Sequence, residues 1–107
     1  MSASALPSLD ESLRFAIANK RLVEIRYGGK IRIGEPHDYG VRKGGEKLLV
    51  YQLRASGGPS RQGVVGWRLL DVPKIEACRV LDETFAGSRG SAHHHHYAWD
   101  VLYIRVS

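Results

Sequence analysis

The sequence is poor in cysteine and in long apolar runs. Cys78 is the only cysteine among 107 residues, so no disulfide can form within the chain. No apolar run approaches the roughly 20 residues that a membrane-spanning helix needs, and the N-terminus lacks the basic and apolar regions of a secretion signal. We therefore expect a protein of the reducing cytoplasm that does not enter a membrane.

Negative charge is also scarce over the first two thirds of the chain. The whole chain carries 16 Lys and Arg against 11 Asp and Glu, a net charge of +5. Residues 14–68 hold twelve of the basic residues and four of the acidic ones, a local net charge of +8. This surplus favours anionic partners, although a surplus of this size is equally typical of a charge that only aids solubility.

The N-terminal part of the chain predicts one helix. Ser8 and Glu11 have the spacing of a capping box, in which each side chain bonds the other's backbone N–H. Leu9, Leu13 and Ile17 follow at four-residue spacing, which predicts an amphipathic helix from Leu9 to about Lys20. Residues 1–7 are expected to be flexible.

A hairpin is predicted directly after the helix. Arg21–Tyr27 alternates between apolar and polar residues, and Gly28-Gly29 is typical of a two-residue turn. The returning strand is expected to place Ile31 and Ile33 in the core, with Arg32 on the opposite face.

A second hairpin, Glu35–Leu53, organises the rest of the chain. Pro36 has no N–H, so it marks a bend or an edge position rather than the middle of a sheet. Lys43–Glu46 is predicted to form its turn. Further strands are expected over 64–70, 75–81 and 97–106, with a one-turn break from Asp71 to Lys74. Loops are expected over about 55–63, which contains Arg61, and over about 86–96, which contains Arg89.

One helix followed by six or seven short strands predicts a mainly β fold. Within a single domain over residues 8–107, this order favours a small antiparallel barrel with one N-terminal α-helix, because closure removes exposed strand edges. The side chains expected in the core are Leu13, Ile17, Val23, Ile25, Ile33, Leu49, Trp67 and Phe85.

Four short motifs occur in a fixed order along the predicted helix and strands. They are Leu-x-x-Ala-Ile at Leu13–Ile17, Arg-x-Val-x-Ile-x-Tyr at Arg21–Tyr27, Arg-x-x-Glu-Pro-His at Arg32–His37 and Trp-Arg-x-Leu from Trp67. This order resembles the WYL-domain family, in particular its small single-domain members. The resemblance covers roughly residues 13–85 and departs at Lys47-Leu48-Leu49, where the family has Trp-Tyr-Leu, and in the missing helix-turn-helix.

The resemblance implies an SH3-like, Sm-like barrel that senses ligands through a basic pocket for nucleotides or nucleic acid. Arg32 and Arg68 match the family's pocket arginines, with His37 and Tyr39 beside them. Guanidinium forks match phosphate oxygens, and aromatic rings stack on bases. The alternatives are a solvated strand residue for Arg32, packing for Arg68 and Tyr39, and a hydrogen bond to a backbone carbonyl for His37.

Enzyme and metal signatures are scarce. The chain has no Walker-type glycine loop, no His-Glu-x-x-His and no Gly-x-Ser-x-Gly. The neighbouring histidines His93–His96 cannot all converge on one ion, so a surface loop is expected, with adventitious metal as the alternative. No cofactor and no metal site are expected, and Cys78 has no partner base placed by the sequence.

These observations favour a non-enzymatic ligand-binding or regulatory module for a nucleotide or single-stranded nucleic acid. The alternative is a protein-interaction or assembly subunit that dimerises through a barrel edge, because the last predicted strand, Tyr97–Val106, is apolar on both faces. A homodimer is therefore expected. A weaker alternative is an enzyme that uses His37 with an acidic partner.

Overall fold

One helix and six strands follow each other in the described part of the chain, residues 7–56, 64–90 and 98–107 of a computed structural model. The elements are α1 (Leu9–Ala18), β1 (Arg21–Tyr27), β2 (Lys30–Arg42), β3 (Gly45–Ser56), β4 (Gly66–Asp71), a short 3-10 turn (Val72–Lys74), β5 (Ala77–Thr84) and β6 (Val101–Arg105). This order confirms the predicted mainly β class with one N-terminal helix.

Helix α1 begins with the predicted capping box. The Glu11 N–H donates to Ser8 Oγ at 3.0 Å, and the Ser8 N–H donates to Glu11 Oε1 at 2.8 Å. The helix ends at Ala18, two residues before the predicted end, because Lys20 adopts a φ of 54° that turns the chain into β1. Leu13 and Ile17 face the sheet and are buried.

The strands form one antiparallel sheet that curls on itself. Its order is β4-β3-β2-β1-β5, and β6 pairs with β2. The Tyr27 hydroxyl, at the end of β1, accepts a hydrogen bond from the Asp71 N–H at the end of β4, at 3.0 Å. Since β2 and β3 separate these strands in the order, this contact requires a strongly curved sheet, which is the small barrel that the sequence predicts.

Strand β2 is the centre of the sheet because three strands pair with it. One edge pairs with β3 along its length, and the other edge pairs first with β1, up to Gly34, and then with β6, from Asp38 to Val41. Pro36 lies where the partner changes, next to a β-bulge. The residue therefore lies inside the central strand, at an irregularity where its missing N–H is tolerated.

The predicted phase of β2 is wrong. Arg32 pairs with buried Ile25 and shares its inward face, whereas Ile31 and Ile33 pair with Arg26 and Glu24 on the outward face. The two-residue Gly28-Gly29 turn places Tyr27 opposite Lys30, and paired residues point to the same side of a sheet. The inward face of β1 is thereby continued by Lys30, Arg32 and Gly34.

The core lies between α1 and the inward face of the sheet. Of the eight side chains predicted to be buried, five are buried, and Ile33, Trp67 and Phe85 are only partly covered. The core cluster consists of Leu13, Ala16, Ile17, Val23, Ile25, Tyr39, Leu48, Val50, Leu70, Val72 and Val106.

Several predicted boundaries shift. β5 begins at Ala77 and ends at Thr84, and β6 spans five residues where ten were predicted. Strand β3 extends to Ser56, so Ala55 and Ser56 belong to a strand and not to the predicted loop, whose residues 57–63 lie outside the described residues; residues 86–89 are irregular, as predicted. Arg61 and His93–His96 lie outside the described residues. Across the described ranges, no helix has the length and apolar character needed to cross a membrane.

Candidate functional site

Arg32 and Arg68 lie at the same end of the barrel interior, linked through Gln52. Arg32 Nη1 donates to Gln52 Oε1 at 2.9 Å, and Gln52 Nε2 donates to the Val64 carbonyl at 2.5 Å. Arg68 Nη2 donates to the same carbonyl at 3.4 Å. We call Arg32, Gln52, Arg68 and the Val64 carbonyl the arginine cluster.

Three adjacent strands place the arginine cluster. Arg32 is on β2, Gln52 on β3 and Arg68 on β4, and Arg68 pairs with Val50, which belongs to the core. Gly34 pairs with Gln52, and a Cβ on Gly34 would lie 2.6 Å from the Tyr51 carbonyl oxygen. The missing side chain therefore lets β2 approach β3 closely, and Gln52 is held at 2% exposure.

The partners of Arg32 are electrically neutral. Its Nε donates to the Tyr27 carbonyl at 3.3 Å, and its guanidinium carbon lies 5.7 Å from the centroid of the Tyr27 ring. Within the ranges that the structure describes, no carboxylate comes within ion-pair distance of Arg32. A partly buried cation of this kind keeps a strong positive potential, because protein and not water surrounds most of it.

Tyr39 lies away from the arginine cluster and fixes the helix. Its ring is buried against Tyr103, with the centroids 4.9 Å apart, and its hydroxyl donates to Asp10 Oδ1 at 2.7 Å. Burial and, second, this hydrogen bond raise the pKa of Tyr39 well above its ordinary value. The same hydrogen bond, followed by that from Arg14, lowers the pKa of Asp10.

His37 faces the other side of the sheet. Glu35 pairs with Tyr51 and not with the inward Gln52, and His37 Nε2 lies 3.0 Å from Glu35 Oε1. The imidazole is fully buried, with the Trp67 ring centroid at 4.8 Å. His37 therefore has the acidic partner that a catalytic dyad needs, but it lacks the access to solvent that a substrate would require.

Arg89 makes a structural ion pair that the sequence did not reveal. Its Nε and Nη2 donate to the two carboxylate oxygens of Glu35, each at 2.9 Å, and its guanidinium carbon lies 3.7 Å from the Tyr51 centroid. The hydrogen bonds to Glu35 raise the pKa of Arg89. Arg89 lies in the irregular segment after β5, where a loop was predicted, and this fork joins that segment to the sheet. We call Glu35, His37, Tyr51 and Arg89 the Glu35 clamp.

Gln52 was also missed, although one signal for it is present. It is a polar residue at an inward position of β3, two residues after core Val50. A buried amide requires hydrogen-bond partners, and such a residue in an apolar strand therefore indicates a polar network. The residues that complete this network come from other strands and could not be read from β3 alone.

Cys78, on β5, carries a half-buried thiol. Burial raises the pKa of Cys78 to about 11, so that little thiolate exists at neutral pH. It borders two open cavities of about 220 and 230 Å³ beside β5. Among the described residues, no three His, Cys, Asp or Glu side chains are grouped so that they could hold a metal ion.

Comparisons of the chain with protein-family models, curated proteins and solved structures find no match. The arginine cluster is therefore interpreted from its own geometry.

Proposed function

We propose that the protein is a non-enzymatic binding module that recognises a nucleotide or a single-stranded nucleic acid at the arginine cluster. The observation that supports this proposal is the neutral setting of Arg32 beside Arg68. A phosphate group supplies the negative charge that Arg32 lacks among the described residues, and the planar guanidinium suits its oxygens. The resemblance to the WYL-domain family supports the same proposal.

The full burial of His37 favours binding over catalysis. In the Glu35 clamp, Arg89 already occupies both oxygens of Glu35, so the carboxylate is engaged in a structural ion pair. A hydrolytic dyad instead needs a base that meets its substrate directly.

The test is fluorescence anisotropy of a labelled oligo(dT) strand over a salt series. Replacing Arg32 or Arg68 with Ala is expected to weaken binding by about 1–3 kcal/mol, as for the loss of a charge-assisted hydrogen bond. Each loss should also flatten the slope of log affinity against log salt by about 0.7, the value for one single-strand phosphate contact.

Arg26→Ala is the matched control for these variants. Arg26 is an exposed arginine on the outward face of β1, in the same hairpin as Arg32. Its removal changes the net charge equally and should leave the affinity nearly unchanged. If Arg26→Ala weakens binding as much as Arg32→Ala does, binding arises from diffuse charge. If the wild type does not bind at low salt, the nucleic-acid proposal fails.

The second candidate function is self-assembly through β6. Val101 and Leu102 are 53% and 38% exposed, and within the described ranges β6 pairs with β2 alone. We propose that a second copy covers this strand, which would explain exposed apolar side chains on a short edge strand.

Light scattering tests the assembly proposal. A homodimer would have twice the chain mass of 11.9 kDa, and Val101→Asp should return it to the monomer mass because a charge at the interface opposes association. Phe15→Asp changes another exposed apolar residue, on α1, and should leave the dimer intact. A wild-type mass of one chain at micromolar concentration would reject the proposal.

A further inference from the structure

Gln52 connects Arg32 to the carbonyl that Arg68 also contacts. Its oxygen accepts from Arg32, and its nitrogen donates to the Val64 carbonyl, which also receives Arg68. The orientation of the amide is fixed by chemistry, because a guanidinium can only donate and a carbonyl can only accept. At 2% exposure, the side chain has little room to rearrange.

An amide satisfies Arg32 without neutralising it. A glutamate has nearly the same shape and would offer the same oxygen to Arg32, but it would add a full negative charge. Arg32 would then have a permanent internal counterion, as Arg89 has in Glu35 at 2.9 Å. The chain thus contains both arrangements: an arginine paired with a carboxylate and an arginine held by an amide.

We propose that Gln52 determines the selectivity of the arginine cluster for anions, because its neutral amide orients Arg32 while leaving its charge available to a ligand. The inference rests on the proposed function, since it concerns the same site. It assigns a role to a residue that would not touch the phosphate itself: Gln52 is a positioning residue.

The experiment compares two substitutions of opposite consequence. Gln52→Glu keeps the shape and adds the counterion, so it should weaken binding of labelled oligo(dT) about tenfold or more and should flatten the salt slope. Gln52→Met removes the hydrogen bonds that orient Arg32 but adds no charge, so it should weaken binding by only about threefold, at a lower melting temperature. A purely structural role predicts the reverse order of affinities.

Ser56→Glu is the matched control for charge. Ser56 is an exposed residue at the end of β3, and the variant adds the same negative charge to the same strand. Its affinity for oligo(dT) should change less than about threefold, because solvent screens an exposed charge.

A second probe separates the failure of the inference from the failure of the proposed function. Inorganic phosphate, added at constant ionic strength, should raise the melting temperature of the wild type and of Gln52→Met but not of Gln52→Glu. If oligo(dT) does not bind and phosphate still shows this pattern, the nucleic-acid function fails and the role of Gln52 stands.

Three results would overturn the inference. One is that Gln52→Glu binds oligo(dT) as tightly as the wild type while Arg32→Ala binds it more weakly. This result leaves the proposed function intact. Another is that phosphate raises the melting temperatures of the wild type and of Gln52→Glu equally, or raises neither of them. If Gln52→Glu does not fold, Gln52→Met decides alone: a loss of affinity as large as that of Arg32→Ala overturns the inference, and a smaller loss supports it.

Discussion

At the scale of single residues, Arg32 and Arg89 show how the same type of side chain has two different arrangements. Arg89 forks onto the carboxylate of Glu35, a residue that is 7% exposed, and stacks on Tyr51. Arg32 stacks on Tyr27 and bonds only neutral groups among the described residues. The first arrangement stabilises the fold, and we propose that the second leaves a charge for a ligand.

Replacement of Arg89 by Ala should lower the free energy of unfolding by about 1–3 kcal/mol. The variant leaves the buried Glu35 carboxylate without its bidentate partner, and the partial exposure of Arg89 reduces the cost below that of a fully buried pair. Urea unfolding measures the change. Arg79→Ala, which breaks an exposed pair with Glu24, should cost less than about 1 kcal/mol. Equal losses would show that the Glu35 clamp is not a buried pair.

The hydrogen bond between Tyr39 and Asp10 should make part of the stability depend on pH. The pKa of Asp10 is lowered in the folded protein, so its contribution is complete above the ordinary pKa of about 3.9 and is lost as the pH falls through the lowered value. Tyr39→Phe should therefore cost about 1 kcal/mol at pH 6 and progressively less below pH 4.

Urea unfolding between pH 2 and pH 7 measures this difference. The same substitution in an Asp10→Asn background is the control, because the difference between the two proteins should then be independent of acid pH. A cost of Tyr39→Phe that stays constant from pH 6 to pH 2 would mean that the Asp10 carboxylate is not the partner that matters.

At the scale of elements, the hairpin of β1 and β2 shows what sequence patterns decide. The turn at Gly28-Gly29 and the bounds of β1 were predictable, because a glycine pair between alternating segments has few structural alternatives. The same turn dictates that Arg32 shares the face of Ile25. The prediction followed the apolar character of Ile31 and Ile33 instead, and it failed because outward positions of a small sheet also carry apolar residues.

The remaining contacts of the site depend on chain segments that are distant in sequence. Arg89 and Glu35 lie 54 residues apart, and Arg32 and Gln52 lie 20 apart. The pairing of β2 with β3 and of β3 with β4 brings Arg32, Gln52 and Arg68 together. A single sequence contains patterns of neighbouring residues but not the register between strands, so neither Gln52 nor Arg89 could be assigned beforehand.

Gly40 is expected to control the pairing of β6 with β2. A Cβ at this position would overlap the Val101 carbonyl oxygen and lie 2.9 Å from Leu102 Cα, both of which are backbone atoms. Gly40→Ala should therefore cost about 1–3 kcal/mol, because the two strands must separate to admit a methyl group.

Gly45→Ala serves as the comparison for Gly40→Ala in urea unfolding. The nearest atom to its added Cβ is the flexible end of Lys47, at 3.7 Å, so the variant should stay within about 0.5 kcal/mol of the wild type. If Gly40→Ala were as stable as the wild type, the described close approach of β6 to Gly40 would be contradicted.

At the scale of the whole molecule, one core joins the helix to the sheet. Leu13 and Ile17 of α1 pack in the same cluster as Val23 and Ile25 of β1 and Leu70 of β4. Since all of these side chains share one buried cluster, the helix and the sheet should unfold together.

Ile25→Ala should lower the free energy of unfolding by about 2–5 kcal/mol, because Ile25 is 1% exposed and its truncation leaves a cavity. Unfolding midpoints from far-ultraviolet circular dichroism and from tryptophan fluorescence should shift together. Ile31→Ala removes the same atoms from the outward face and should cost clearly less. If the two variants lose equal stability, the described phase of the hairpin is wrong.

The pairing of β6 with β2 has a consequence for the order of folding. Asp38 is fully buried and bonds Arg105, a residue 67 positions later in the chain, at 3.0 and 3.1 Å. The loop that this contact closes includes β3, β4 and β5. Closing so long a loop costs conformational entropy before the contacts between β2 and β6 can offset that cost. On a ribosome, the second half of β2 would stay an open edge until β6 emerges, so the nascent chain is exposed to mispairing along this edge throughout the interval between the synthesis of β2 and that of β6.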